Sequence, residues 1–535
     1  MVQDGKILLG KGENPVYLLP AMANRHGLIA GATGTGKTVT LKVMAEGFSQ
    51  LGVPVFLADI KGDVSGMALA GAVNDKIAAR LQTLGIDPAN FAPQSSPCRF
   101  WDVLGQGGIP VRATVSDLGP LLLSRLLDLS DAQQGVLNIV FRVADDQGWQ
   151  LIDFKDLRAM LTFVGEHHQE LATTYGAVAT QSVGAIQRAL LALENAGAAT
   201  FLGEPPLDIK DWLQTAPDGR GIVNILNCVK LAQQPLLYAT FLLWMLGEIY
   251  ETLPEVGDCD KPKLVFFFDE AHLLFDDAPK ALLDKVTQVV KLVRSKGVGI
   301  YFITQSPSDI PDEVLSQLNN RIQHALRAYT PAEQKAVRAA AQSFRENPKF
   351  KTEDAIGALG TGCALISTLD ADGVPCMVEQ ATVCPPQCAF AGLEDAARAM
   401  LAAGDALWPK YKDAVDTLSA YEVLSEQQAK EQAEKEQAAA EKQAEKEEAA
   451  AEKAARREER ERQAAYRAAG YDSHGRSPLE QGLQRATKSA GHSIGRDLGR
   501  QITRGVLGTH SRGAQNAVGS FAGNLVGDLL GNLFK

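Results

Sequence analysis

The chain has 535 residues, 45% of them hydrophobic and 22% charged, enough to bury a sizeable core and to divide into two or three parts. Its net charge of −11 argues against a surface that coats nucleic acid along its whole extent, while leaving room for a locally basic pore. Seven cysteines, odd in number and without paired ligand spacing, read as reduced, mostly buried thiols of a cytoplasmic protein and not as a disulfide framework or metal cluster.

Met1 to Lys6 has neither a basic start nor a long apolar run, so no export signal is expected. The first strong signal is Gly27-Leu28-Ile29-Ala30, an apolar run suited to a buried strand, followed by Gly31-Ala32-Thr33-Gly34-Thr35-Gly36-Lys37-Thr38. A glycine-rich turn between strand and helix lets successive backbone N–H groups close around a triphosphate. Gly31, Gly34 and Gly36 supply the freedom, and the backbone from Gly31 to Val39 supplies the cradle. Lys37 sets a cation against the β and γ phosphates of ATP, and Thr38 offers its hydroxyl to Mg²⁺. Val39 to Met44 continues as a helix whose N-terminus faces the anion. A second strand, Val53 to Ala58, ends in Asp59-Ile60-Lys61-Gly62-Asp63. Asp59 is the better candidate there for a carboxylate bordering the same cleft, because open α/β sheets bind ligands at the carboxyl ends of their strands.

Residues 76–220 read as a mainly helical insertion, with helices at Gln133 to Val143, Phe154 to Val164 and Ala177 to Ala196. The apolar face of Leu121 to Leu127 suits packing on the sheet or on a neighbouring subunit, in a lid or subunit-contact module. His167-His168 has no metal-like partners and reads as a solvated helix end. Leu231 to Gly247 contains Pro235 and falls short of the roughly 20 residues a membrane span requires, so it reads as a buried core helix.

Leu264 to Phe268 is five apolar residues in a row, ending in Asp269-Glu270-Ala271-His272. A buried strand ending in two acids is a Walker B pattern: Asp269 holds Mg²⁺ and Glu270 acts as general base on the attacking water. An amphipathic stretch, Ala278 to Lys296, leads to the strand Gly299 to Ile303 and then Thr304-Gln305-Ser306. Gln305 is placed to sense the γ phosphate from the adjacent strand. Ile322 to Leu326, Cys363 to Ser367 and Val374 to Val378 suggest further strands, the last two a hairpin around Asp372-Gly373.

These pieces, with Asn24-Arg25-His26 before the first strand, Arg294-Ser295-Lys296-Gly297-Val298-Gly299 and Thr304-Gln305-Ser306-Pro307, resemble the HerA-like ATPases of the HerA and FtsK superfamily. The resemblance spans about residues 20–385 and is greatest to a bacterial branch with a charged helical tail. It implies a RecA-like P-loop core in a homo-oligomeric, hexameric ring that binds Mg·ATP between subunits and moves a polymer, with double-stranded DNA the leading candidate. A protein translocase of the same superfamily is the alternative, and a nonenzymatic scaffold is disfavoured by the presence of both Glu270 and Gln305. The resemblance also implies an arginine finger, Arg294 first and Arg321 second, and a nucleotide contact by Arg25. Archaeal-type relatives carry a β-barrel before the core, whereas about 26 residues here precede the P-loop strand and leave no room for one.

From Ser419 to about Ala469 the composition shifts to Ala, Glu, Lys, Gln and Arg. Lacking Leu, Ile or Val at a and d positions, it favours a solvated single helix over a coiled coil. Residues 470–535 carry scattered arginines and glycines at four-residue spacing, Gly519, Gly523, Gly527 and Gly531 among them. A flexible tail is expected there, with self-association or membrane-surface binding as alternatives. The resulting division is 1–75 and 221–418 for the two parts of the core, 76–220 for the insertion, 419–469 for the charged helix and 470–535 for the tail.

Overall fold

The apolar runs of the sequence become the middle of one sheet. In this computed structural model, residues 2–275 and 280–468, with Ala486, are described. The glycine-spaced tail expected from residue 470 onward lies outside them. The chain divides into two units, residues 1–430 and 431–535.

Thirteen strands form the sheet: β1 Val2–Gln3, β2 Lys6–Lys11, β3 Pro15–Leu18, β4 Gly27–Ala30, β5 Val55–Asp59, β6 Cys98–Asp102, β7 Ile109–Pro110, β8 Val223–Asn227, β9 Leu264–Phe268, β10 Val298–Thr304, β11 Asn320–Gln323, β12 Cys363–Ser367 and β13 Glu379–Val383. Their order is β1-β2-β13-β12-β11-β4-β10-β9-β5-β8-β6-β7, with β3 on β2. From β11 to β7 every pairing is parallel. Between β1 and β11 the pairings are antiparallel, as is that of β3 with β2. Every residue of β4, β5, β9 and β10 is buried, as strands covered by helices on both faces require.

Two expectations need correction. The second strand of the hairpin is β13 at Glu379–Val383, not Val374 to Val378. Pro375 has no N–H to give a ladder and joins only an isolated bridge with Leu369, so pairing resumes further on. The insertion is helical at Asp131–Gln147, Phe154–Glu166 and Thr180–Asn195, but it also contributes β6 and β7, which extend the sheet. The residues before β4 supply β1, β2 and β3, which complete the antiparallel wing.

The stretch with Pro235 forms the helix Pro235–Thr252, with proline at its first turn and Leu237 to Gly247 buried. No helix among the described residues is long and apolar enough to cross a membrane. The charged segment is one helix, Ala420–Ala468, whose pairs Glu426–Lys430, Glu431–Lys435, Glu452–Arg456 and Arg457–Glu461 sit at the i,i+4 spacing that supports an exposed helix.

Beyond β13 the chain returns across the parallel half. Gln387 and Cys388 donate their backbone N–H groups to the buried Glu46 carboxylate at 2.9 and 2.7 Å. Lys42, also buried, donates to the carbonyls of Asp63, Ala389 and Phe390 at 2.8, 3.0 and 3.0 Å. Both side chains lie on the helix Lys37–Gln50, which follows the phosphate loop. Farther on, Arg99 of β6 donates to both oxygens of Asp405 at 3.0 Å, and Asp211 accepts from the Tyr411 hydroxyl at 2.6 Å.

Candidate active site

Parallel strands end together, and the site lies where β4, β10, β9 and β5 end. Ala30 pairs with Thr304, and Phe268 pairs with both Phe302 and Ala58. The turns beginning at Gly31, Gln305, Asp269 and Asp59 therefore open along one edge, with neighbouring strands about 4.8 Å apart.

The phosphate loop arches between β4 and the helix Lys37–Gln50. Gly31 and Gly36 have φ of +154° and +112°. A Cβ on Gly31 would stand 2.5 Å from the His324 Cβ, and one on Gly36 would stand 3.2 Å from the Gly362 Cα. Glycine is thus required both for conformation and for close approach. Thr33 and Gly34 form the exposed rim, Ala32 and Thr38 are half-buried, and Val39 lies in the first helical turn. The Thr35 hydroxyl donates to Ala32 O at 2.7 Å. The Lys37 ammonium donates to Gly31 O at 2.6 Å and Ala32 O at 3.3 Å, curled under the loop. Burial holds Lys37 below its ordinary pKa, against the pull of Glu270 and Asp269.

Asp269 and Glu270 follow β9 directly, and both are buried. Asp269 Oδ2 and Glu270 Oε2 accept no hydrogen bond among the described residues. Burial, then the neighbouring Glu270 charge, pushes the Asp269 carboxyl up to about 7. Glu270 occupies the left-handed region at φ +48°, a strain of about 1 kcal/mol for a residue with a side chain. Burial raises its pKa, but the ammonium of Lys61, ion-paired to Oε1, wins and leaves it below the ordinary value. His272 Nδ1 lies 3.2 Å from Oε2. Gln305 is exposed one residue past the Thr304–Ala30 pair, just beyond the strand between the phosphate loop and the two acids. Thr304 ties that turn down through its hydroxyl, which donates to Asp309 at 2.6 Å.

Asp59 stands at the same edge, but its oxygens are committed to the backbone, Oδ1 accepting from Gly62 N at 2.7 Å and Oδ2 from Ser65 N at 3.3 Å. It shapes the turn carrying Lys61. Burial, then the Asp63 charge, raises its carboxyl to about 6.

Three arginines do not reach this cleft. Arg25 precedes β4 at the opposite edge, roughly 13 Å from the loop by strand rise, with its guanidinium close over Gly373. Arg294 precedes β10, also at that far edge, and pairs with Asp258 at 3.2 Å. Arg321 donates to the carbonyls of Leu318, Ser343 and Leu315 at 3.0, 3.3 and 3.2 Å. With three N–H groups so engaged, the guanidinium holds a corner of the fold. Arg25 and Arg294 cannot serve the nucleotide site of their own chain.

Sequence reading assigned no role to His324 or Lys61. His324, beyond β11, is buried with Nδ1 3.0 Å from Cys363 O and Nε2 2.8 Å from the Thr40 hydroxyl. Burial depresses its pKa to about 4, so it braces the loop as a neutral ring. Its signal was faint, one histidine after a short strand. Lys61 lay within a recognised motif, but only the fold shows which acid it meets.

The residues fit a magnesium nucleotide. A glycine cradle ends in a buried lysine, a hydroxyl opens the helix, and two buried carboxylate oxygens accept no hydrogen bond among the described residues. Buried carboxylates of that kind are costly unless a cation answers them.

A probable helicase of Methanocaldococcus jannaschii, MJECL08, is 29% identical over 170 residues, covering 28% of this chain and 31% of that protein. The match thus spans about a third of that relative's length. The plasmid coupling protein TrwB, solved with the non-hydrolysable ATP analogue ADPNP, superposes with a TM-score of 0.50 at 14% identity over 73% of this chain and 91% of its own. That likeness is one of fold, the RecA-like P-loop ATPase architecture. A family model described as helicase HerA-like, C-terminal matches residues 5–516. With a match of that extent, the protein belongs to the HerA-like helicase C-terminal family.

Proposed function

We propose that the protein is a Mg²⁺-dependent ATPase whose hydrolysis drives a ring-shaped motor along double-stranded DNA. The observation that carries this reading is the meeting of Lys37, Asp269 and Glu270 at one sheet edge, more than 230 residues apart in sequence, with electrostatic coupling among all three. Lys37 and the loop amides grip the phosphates. Thr38 and Asp269 would hold Mg²⁺, which when bound neutralises charge across the phosphate oxygens. Glu270 orients the attacking water and accepts its proton. Gln305, just beyond the strand between the two motifs, couples the terminal phosphate to the rest of the sheet.

A ring is supported by where two arginines stand. A charge-stabilising arginine is worth a great deal in phosphoryl transfer, and Arg294 and Arg25 both lie on the edge facing away from their own loop. Packing that edge against the cleft of a neighbouring copy would deliver them. DNA as the polymer rests on the family and on a relative described as a probable helicase.

Glu270→Gln should retain nucleotide binding while kcat falls by roughly 10²- to 10⁴-fold. Unchanged turnover would remove Glu270 from the mechanism. ATPase rate with and without duplex DNA tests the track: stimulation that weakens with salt supports DNA, and a flat response shifts the motor to a protein polymer.

A further inference from the structure

The turn after β5 is pinned on all sides except at one side chain. Asp59 holds the amides of Gly62 and Ser65, the Ser65 hydroxyl donates to Gly62 O at 2.8 Å, and Lys42 holds Asp63 O. Gly392 lies so near that a Cβ on it would collide with Gly62 O. From this fixed base the Lys61 stem extends to Glu270. Its ammonium takes Oε1, while Oε2 is buried, accepts no hydrogen bond among the described residues and lies 3.2 Å from His272 Nδ1.

We propose that Lys61 is the positioning residue of Glu270, fixing one carboxylate oxygen so that the other is presented to the attacking water. The proposal rests on the ATPase reading above. Lys37 lies within electrostatic reach of Glu270, and an untethered carboxylate would be drawn toward that ammonium, disabling the base and the phosphate-binding cation together. Lys61 competes for Glu270 and keeps the two apart. The tether also answers a charge that is only 7% exposed at its side chain, where the other basic group in contact is His272, with Nδ1 3.2 Å from Oε2. The rival reading is a surface ion pair of little consequence, since the Lys61 side chain is 43% exposed.

The test is a cycle of Lys61→Met and Lys61→Arg in wild-type and Glu270→Gln backgrounds. In the wild type, Lys61→Met should lower kcat roughly 10- to 100-fold with KM for ATP changed less than about twofold, and Lys61→Arg should recover most of the rate. In the Glu270→Gln background, Lys61→Met should cost nothing further. Without nucleotide or Mg²⁺, Lys61→Met should lower Tm by about 1–2 °C in the wild type and by clearly less in the Glu270→Gln background. Equal losses in both backgrounds, a raised KM at unchanged kcat, or identical melting shifts would each overturn the proposal. A wild type that does not hydrolyse ATP would instead overturn the ATPase reading, and the melting cycle would still decide whether Lys61 and Glu270 are coupled.

Discussion

Asp156 and Asp269 are both buried aspartates in the same unit, and they are treated in opposite ways. Asp156, on the helix Phe154–Glu166, accepts from the amides of Ile152, Asp153 and Tyr421 at 2.8, 3.0 and 3.0 Å and from the Ser419 hydroxyl. Every one of those donors is local or belongs to the start of the long C-terminal helix. Asp269 has an oxygen that accepts nothing, sits beside a second acid, and is followed by a residue in strained backbone. One carboxylate is satisfied by the fold and serves to hold it. The other is left unsatisfied by the fold, which is the mark of a group kept for a ligand.

The largest loss of stability is expected at the structural aspartate. Asp156→Ala should lower unfolding free energy by about 2–4 kcal/mol, because buried donors lose their acceptor. Urea unfolding would show it, with nucleotide affinity of the folded fraction unchanged. A smaller effect follows from the two neutral histidines. Burial depresses His26 and His324 from the ordinary 6.5 to about 4. The folded pKa lies below the unfolded one, so their stabilisation is complete above pH 6.5 and is lost as pH falls from there toward 4. Between pH 7.5 and 5.5 each should cost about 1.4 kcal/mol, and His324→Gln should flatten its share of the slope.

At the catalytic end the sign should reverse. Asp269→Asn removes a buried charge from beside Glu270 and should raise the stability of nucleotide-free protein by about 1 kcal/mol while abolishing turnover. A loss of stability would mean that Asp269 is structural after all. The smallest expected stability change is at Arg294, whose exposed pair with Asp258 is worth less than about 0.5 kcal/mol. If it acts on a neighbour's nucleotide, Arg294→Ala subunits mixed with Glu270→Gln subunits should regain part of the activity that each lacks alone. No regain would remove Arg294 from the finger role.

Sequence made the strands at Gly27–Ala30 and Leu264–Phe268 legible to the residue, because continuous apolar runs bounded by glycine or acid admit few other readings. The positions of the Gly31 to Thr38 turn and of Asp269-Glu270 at the ends of those strands were legible for the same reason, being local. What escaped was whatever depends on partners far along the chain. β6 carries Arg99, which interrupts its apolar pattern and is answered by Asp405, 306 residues away. The Lys61–Glu270 pair joins two separate strands. Arg25 and Arg294 matched family motifs, but their distance from the cleft follows from strand direction, which a list of motifs does not contain.

The hold that Lys42 and Glu46 keep on residues 387–390 bears on how the protein can be dissected. A fragment cut after the last strand would contain every recognisable motif and yet strip an ammonium and a carboxylate, both inside the phosphate-loop helix, of the carbonyls and amides that answer them. The smallest fragment that keeps its fold should therefore be longer than its signature sequences, and trimming to those signatures should damage the helix that follows the phosphate loop.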